Sequence, residues 1–234
     1  MKYVIQYSMR DFLRSQKYFP PLSTFILLMV VFYSYKPNPV IDSYAVTSLM
    51  MYVISAWLCT SFLALDSPVQ RQLMILHAGG KNHYYIGKFM AIAITSTIFT
   101  LFAFMYPIIF GMFQENVSLS VGFISLMNHF MLSLLGIGVA SLFSRIFMNS
   151  TVNSYGGLAL TITISFTTIG LYEVLPTMFK NLVWVIPPAI MTQKPLMNWN
   201  GQTLSNIEWF PFVWILIYAS LLISIFFILV KRKS

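Results

Sequence analysis

Charged residues fall at widely spaced points along this chain, and six windows between them carry no charge: 18–35, 43–65, 89–114, 116–144, 146–172 and 209–230. An α-helix needs about 20 apolar residues to cross a bilayer. Each window meets that need, and the longest has room for a connecting turn as well. A seventh window, 181–193, is too short and contains Pro187 and Pro188, so it reads as an external or interfacial segment. None of the windows alternates apolar and polar residues over the roughly ten-residue stretches of a membrane barrel. The pattern predicts an all-α integral membrane protein with six transmembrane helices, at 19–35, 44–65, 89–112, 119–143, 152–171 and 209–230. They form a single transmembrane domain, 1–234, without internal repeats.

Composition agrees with the pattern. Hydrophobic residues make up 58% of the chain and charged residues only 9%, and mean hydropathy is +0.75. A soluble domain carries about 25% charged residues, so this chain has too few polar groups to cover a water-facing surface. If the N-terminus is inside and six spans alternate, the inside segments hold Lys2, Arg10, Arg14, Lys17, Arg71, Lys81, Lys88, Arg145, Lys231, Arg232 and Lys233. The outside segments hold only Lys36, Lys180 and Lys194. Eleven basic residues against three place both termini in the cytoplasm, and the protein in the cell membrane. The net charge of +8 is then accounted for by topology and the anionic inner leaflet, and calls for no nucleic acid. Residues 1–18 lack the apolar core of a cleavable signal peptide. Cys59 is alone, and reads as a small apolar residue in a span.

The N-terminal residues, 1–18, have helical periodicity. Lys2, Gln6, Arg10, Arg14 and Lys17 share one arc, opposite Val4, Ile5, Ser8, Met9 and Phe12. This predicts an interfacial helix whose basic residues, Arg10, Arg14 and Lys17, either meet a cytoplasmic partner or a gate, or serve a passive anchor. The longest outer loop, 172–208, is rich in proline. With Tyr172, Trp184, Trp199 and Trp209 in or beside it, it is expected to form short helices at the membrane–water boundary.

Ionisable groups deep in a membrane usually mark function, and the predicted spans contain no Asp, Glu, Lys or Arg near their centres. This argues against an aspartyl protease and against an ion-coupled transporter built on buried carboxylates. The chain also lacks H-E-x-x-H and G-x-S-x-G. Asn128 and His129 form the one polar intramembrane site, read either as a proton relay or as a hydrogen-bonding pair between helices. Small residues at i, i+4 spacing (Ala56, Thr60, Ala64; Gly136, Ala140, Ser144; Gly157, Thr161, Ser165) predict faces where helices approach closely.

The polar interruption DSPVQRQLMILHAGGKNHYYIGK, residues 66–88, lies between the second and third predicted spans. Asp66 or Ser67 is a candidate N-cap, Pro68 suits the first helical position, and Gly79 and Gly80 a stop. A helix to Ala78 would carry an apolar stripe of Val69, Leu73 and Leu76, with Arg71, Gln72 and Ile75 around the rest. The GGK at 79–81 is not a phosphate loop, because Ile75 stands where glycine is needed and Asn82 where Ser or Thr is needed. His77 and His83 lie six apart across two glycines, without a thiol or carboxylate partner, and do not read as metal ligands. A short, capped helix shaped for docking remains.

Taken together, these features resemble the transmembrane subunit of an ABC-2 type ABC exporter. The resemblance covers the whole chain: an amphipathic N-terminal helix, an acidic residue closing span two (Asp66), an amphipathic turn from Gln70 to Leu76 and a small-residue break at Gly79 and Gly80. It extends through Tyr85-Ile86-Gly87-Lys88 opening span three, and LFSRIFMNS after span four. The family often has Glu where this chain has Asp66. The resemblance implies that 66–88 holds a coupling helix seated in a groove of a separate ATPase subunit. Asp66, Pro68, Gln70, Arg71, Gln72, Leu73, Leu76, Gly79, Gly80 and Lys81 would make that junction. It implies that ATP and Mg²⁺ bind the partner, that this chain holds no cofactor or metal and is no enzyme itself, and that two permeases assemble as a homodimer or heterodimer. It further implies alternating access, with export of an amphipathic or hydrophobic cargo such as an antimicrobial or cytolytic peptide. The rival readings are a non-transporting membrane protein that binds a partner or confers immunity, and an intramembrane enzyme centred on His129.

Overall fold

The structure is a computed structural model that describes residues 2–199, 201 and 203–232; Met1 and Lys233, both part of the reading above, lie outside the described residues. Ten α-helices follow in order among them. They are α1 (Lys2–Arg14), α2 (Phe19–Phe32), α3 (Val40–Leu63), α4 (Pro68–His77), α5 (Lys81–Ile109), α6 (Leu119–Leu142), α7 (Thr151–Phe166), α8 (Thr168–Val174), α9 (Gln193–Met197) and α10 (Phe210–Arg232). Short 3₁₀ turns at Thr177–Val185 and Leu204–Asn206 fill part of the 172–208 stretch. The described residues contain no strand beyond one isolated bridge, between Asn38 and Phe113.

Among the described residues four helices are long and apolar enough to cross a membrane: α3, α5, α6 and α10. A fifth crossing is available if α7 and α8 act together, although they are bent by 60° at Thr167. The first predicted span differs most. At 14 residues, α2 is about 21 Å long, against a hydrocarbon core of about 30 Å. Pro20 and Pro21 set its start and Tyr33 closes it. Beyond, Pro37 and Pro39 push their preceding residues out of helical conformation.

Two other helices begin earlier than the charge-free windows do, for one physical reason. Asp42 sits in the first turn of α3, where a carboxylate complements the helix dipole. Lys81 and Lys88 both lie within α5. Charge therefore enters these helices, whose first turns lie outside the charge-free windows.

The bundle is centred on α3 and α6, each buried over 72% of its apolar window, while α5 and α10 are 39% and 22% buried. The outward faces of α5 and α10 remain apolar, for example at Ile94, Ile98, Leu221 and Ile225. An apolar exterior around a partly polar centre is the arrangement suited to lipid.

The α3–α6 approach depends on Gly136. A Cβ there would lie 2.3 Å from the Tyr52 carbonyl oxygen, 2.3 Å from Ser55 Oγ and 3.1 Å from the Ala56 nitrogen. Because two of these atoms are backbone, the helices would have to part. Gly136→Ala is expected to cost about 1–3 kcal/mol, read as a lowered unfolding temperature in detergent; an unchanged temperature would refute the close packing. The small face of α7 is also used for packing: a Cβ on Gly157 would meet the Phe143 ring at 2.8 Å, and Ser165 bonds Tyr52 at 3.2 Å.

The chain's elements sort to two ends. Lys17, Pro20, Ala64, Pro68, Arg71, Arg145 and Thr151 surround one cavity, and Ile75, Lys81, Ile146 and Val230 line another beside it. The starts of α2, α5 and α7 and the ends of α3, α6 and α10 are thus gathered at the α4 end. Val40, Gln114, Ser118 and Gly201 meet at the opposite end.

Candidate functional site: a capped helix outside the bundle and its buried ion pair

At its N-terminus, α4 is closed by a reciprocal cap. Ser67 Oγ accepts from the Gln70 N–H at 3.3 Å, and the Ser67 N–H donates to Gln70 Oε1 at 3.4 Å. Pro68 occupies the first turn, where no donor is needed. Ser67 is therefore the cap, and Asp66, the other candidate, turns inward. At the C-terminus, the Gly79 N–H donates to Leu76 O at 3.2 Å and the Gly80 N–H to Ile75 O at 2.9 Å. These bonds require φ of +77° at Gly79 and +127° at Gly80, followed directly by α5. Gly80 combines that φ with ψ 165°, a region open essentially to glycine alone. Gly80→Ala is expected to cost about 1–3 kcal/mol even though a Cβ would meet nothing within 4 Å. Thermal unfolding in detergent measures this, and an alanine variant of wild-type stability would contradict the assigned backbone.

The cap and the stop fix which way α4 faces. Val69, Leu73 and Leu76 are 68%, 53% and 76% exposed, and form one stripe at i, i+4, i+7. Gln72 is exposed as well, while Met74 and Ile75 are half-buried and packed against the core. Arg71 and Tyr85 of α5 line the same cavity. Lys81 opens α5 and is half-buried. This ten-residue helix leaves its apolar stripe outside the bundle, with no partner for that face among the described residues.

Beside it, α1 is braced by protein. Val4, Ser8 and Phe12 are buried, and Phe12 stacks on Phe62 of α3 with ring centres 3.9 Å apart. Thr95 Oγ1 of α5 lies 3.4 Å from Met9 Sδ, and Gln70 Nε2 of α4 donates to the Tyr7 hydroxyl. The face predicted to be apolar thus packs on α3 and α5. Arg10, Arg14 and Lys17 remain exposed.

Between α3 and α5 lies a feature that sequence reasoning missed. Asp66 and Lys88 form an ion pair with both side chains 1% exposed. The Tyr84 hydroxyl donates to the same carboxylate oxygen, Oδ2. Lys88 Nζ also donates to the Phe62 carbonyl at 3.1 Å, while Asp66 Oδ1 has no hydrogen-bond partner among the described residues. In the sequence Lys88 counts as an inside basic residue at the opening of span three, with no partner assigned to it. The available signal was the lone acid ending one long apolar segment, with a lone base just inside the next.

The intramembrane pair is a packed contact between α3 and α6. Asn128 Nδ2 donates to Ser48 Oγ at 2.7 Å. His129 Nδ1 lies 2.7 Å from the Ser125 carbonyl, which can only accept, so Nδ1 carries the proton. Nε2 lies 3.0 Å from the Thr47 hydroxyl, whose single proton is shared with the Ser43 carbonyl, also at 3.0 Å. Both ring nitrogens are occupied by protein, and His129 is fully buried. No protein-family model, curated protein or solved structure matches the chain.

Proposed function

We propose that this chain is the membrane-spanning permease subunit of an ABC-2 type exporter, powered by ATP hydrolysis on a separate subunit. The exposed Val69–Leu73–Leu76 stripe on α4 carries the reading. Fully burying a leucine or valine contributes about 1.5–3 kcal/mol, so leaving three on a rigid projection outside the bundle makes sense where another protein covers them. In this reading the chain crosses the cell membrane six times with both termini in the cytoplasm, α2 serving as the short first span and α7–α8 as a broken fifth. The positive-inside distribution supports that orientation, and the gathering of Lys17, Arg71, Lys81 and Arg145 at the α4 end agrees with it.

The mechanism follows from the connections of α4. It is rooted in α3 through 64–67 and in α5 through 78–80, and the Asp66–Lys88 pair ties those roots together. A push on α4 from a closing ATPase dimer would be passed to two long helices at once. The permease would work as a homodimer or heterodimer, with alternating access to an amphipathic or hydrophobic cargo, a cytolytic or antimicrobial peptide being one such class. Purification of the tagged chain from native membranes tests the proposal. The expected result is a stable complex with an ATP-hydrolysing subunit, whose activity responds to this chain. A folded, membrane-inserted chain that recovers no such subunit would favour a non-transporting partner-binding or immunity protein.

A further inference from the structure

We propose that the cavity beneath α4 is a binding site for a phosphoryl group whose negative charge no attached cation neutralises, as in phosphatidylglycerol or inorganic phosphate but not phosphatidylcholine. The cavity is about 580 Å³, and three cations from three separate segments line it: Lys17 between α1 and α2, Arg71 on α4, and Arg145 between α6 and α7. None is within ion-pairing reach of a carboxylate among the described residues, where Lys88–Asp66 is the ion pair formed. Their protein partners are neutral. Lys17 donates to the Ala64 carbonyl at 3.1 Å and Arg145 to the Thr151 hydroxyl.

The remaining lining is consistent with an anion. Asp66 is the acidic residue on the wall, and Lys88 answers its charge from behind, so the cavity stays net positive. Ser61 is 5% exposed, lines the space, and makes no side-chain hydrogen bond among the described residues. Pro68 and Thr151, the first residues of α4 and α7, open on the same space, which adds the positive ends of two helix dipoles. A carboxylate is satisfied by one guanidinium fork. Two guanidiniums and an ammonium converging from different directions suit the several oxygens of a phosphate. Trp57 and Tyr155 also border the cavity, and such amphipathic rings suit the headgroup level of a bilayer. The phosphoryl group could thus belong to an anionic lipid headgroup or to a soluble phosphate.

The test uses the full chain purified in detergent and does not depend on an ATPase partner. Phosphatidylglycerol, phosphatidylcholine of the same acyl chains, and inorganic phosphate are titrated, with bound lipid counted by native mass spectrometry. Phosphatidylglycerol is expected to bind about tenfold more tightly than phosphatidylcholine, from one charged hydrogen bond's worth of preference. Arg71→Gln with Arg145→Gln should weaken it by about a hundredfold. Lys36→Gln at the opposite end should leave it unchanged. If the double variant unfolds, Lys17→Gln, at an exposed side chain, should still weaken binding about tenfold. Displacement of the lipid by inorganic phosphate would support a phosphoryl group sufficient in itself, and resistance to displacement would support a lipid-held one. Equal binding of the two lipids, or unaltered phosphatidylglycerol binding in a folded variant, would overturn the assignment.

Discussion

Replacing Leu73 and Leu76 together by aspartate is expected to abolish recovery of an ATPase subunit with this chain, while membrane insertion and thermal stability stay at wild-type level. Both side chains are more than half exposed, so the substitution costs the isolated chain little; surface changes usually stay within about 0.5 kcal/mol. In a complex, the same positions would lie at the centre of a small interface. Two leucines would lose burial worth about 1.5–3 kcal/mol each, and two carboxylates would have to be desolvated in their place. Together these effects weaken association by at least about a hundredfold, beyond what co-purification tolerates. Asn116→Asp at the opposite end of the bundle is the matched control. A Leu73→Asp/Leu76→Asp variant that retains a fully active ATPase partner would remove α4 as the docking element, and the exporter reading with it.

The parts of the fold legible in the sequence were those governed by backbone chemistry and by the absence of charge. Ser67, Pro68, Gly79 and Gly80 specify α4 locally, and its observed limits lie close to those their types require. The long apolar helices followed from the charge-free windows, and so did the class of the protein. What was hidden depends on pairing across the chain. Nothing at residue 66 or 88 alone reveals that an acid and a base 22 positions apart neutralise one another. Likewise His129 carried no sign that Thr47, 82 positions earlier, would occupy its second nitrogen. The break at Thr167 was also missed. Windows of composition measure apolar length, and the bend between α7 and α8 leaves that length unchanged.

Breaking the Asp66–Lys88 pair is expected to produce the largest loss of stability. Lys88→Met removes the cation but leaves the Asp66 carboxylate enclosed, with Tyr84 as its remaining donor. An uncompensated buried charge costs about 3–5 kcal/mol. Asp66→Asn should be of similar size, because it leaves the Lys88 ammonium without a counter-charge, facing only neutral groups such as the Phe62 carbonyl and the Tyr84 ring. The double variant Asp66→Asn/Lys88→Met buries no ion, and well-packed neutral replacements of buried pairs are often neutral or better. It should therefore recover most of the loss, a coupling that a double-mutant cycle of unfolding temperatures would display. Simple additivity, with each single change mild, would show that the pair does not bind α3 to α5. The recovered double variant then separates stability from coupling. If the ion pair serves only to hold the two helices, ATPase stimulation returns with the fold. If it also sets the direction in which α4 pulls on them, the double variant folds like wild type yet leaves ATP hydrolysis unlinked to the permease.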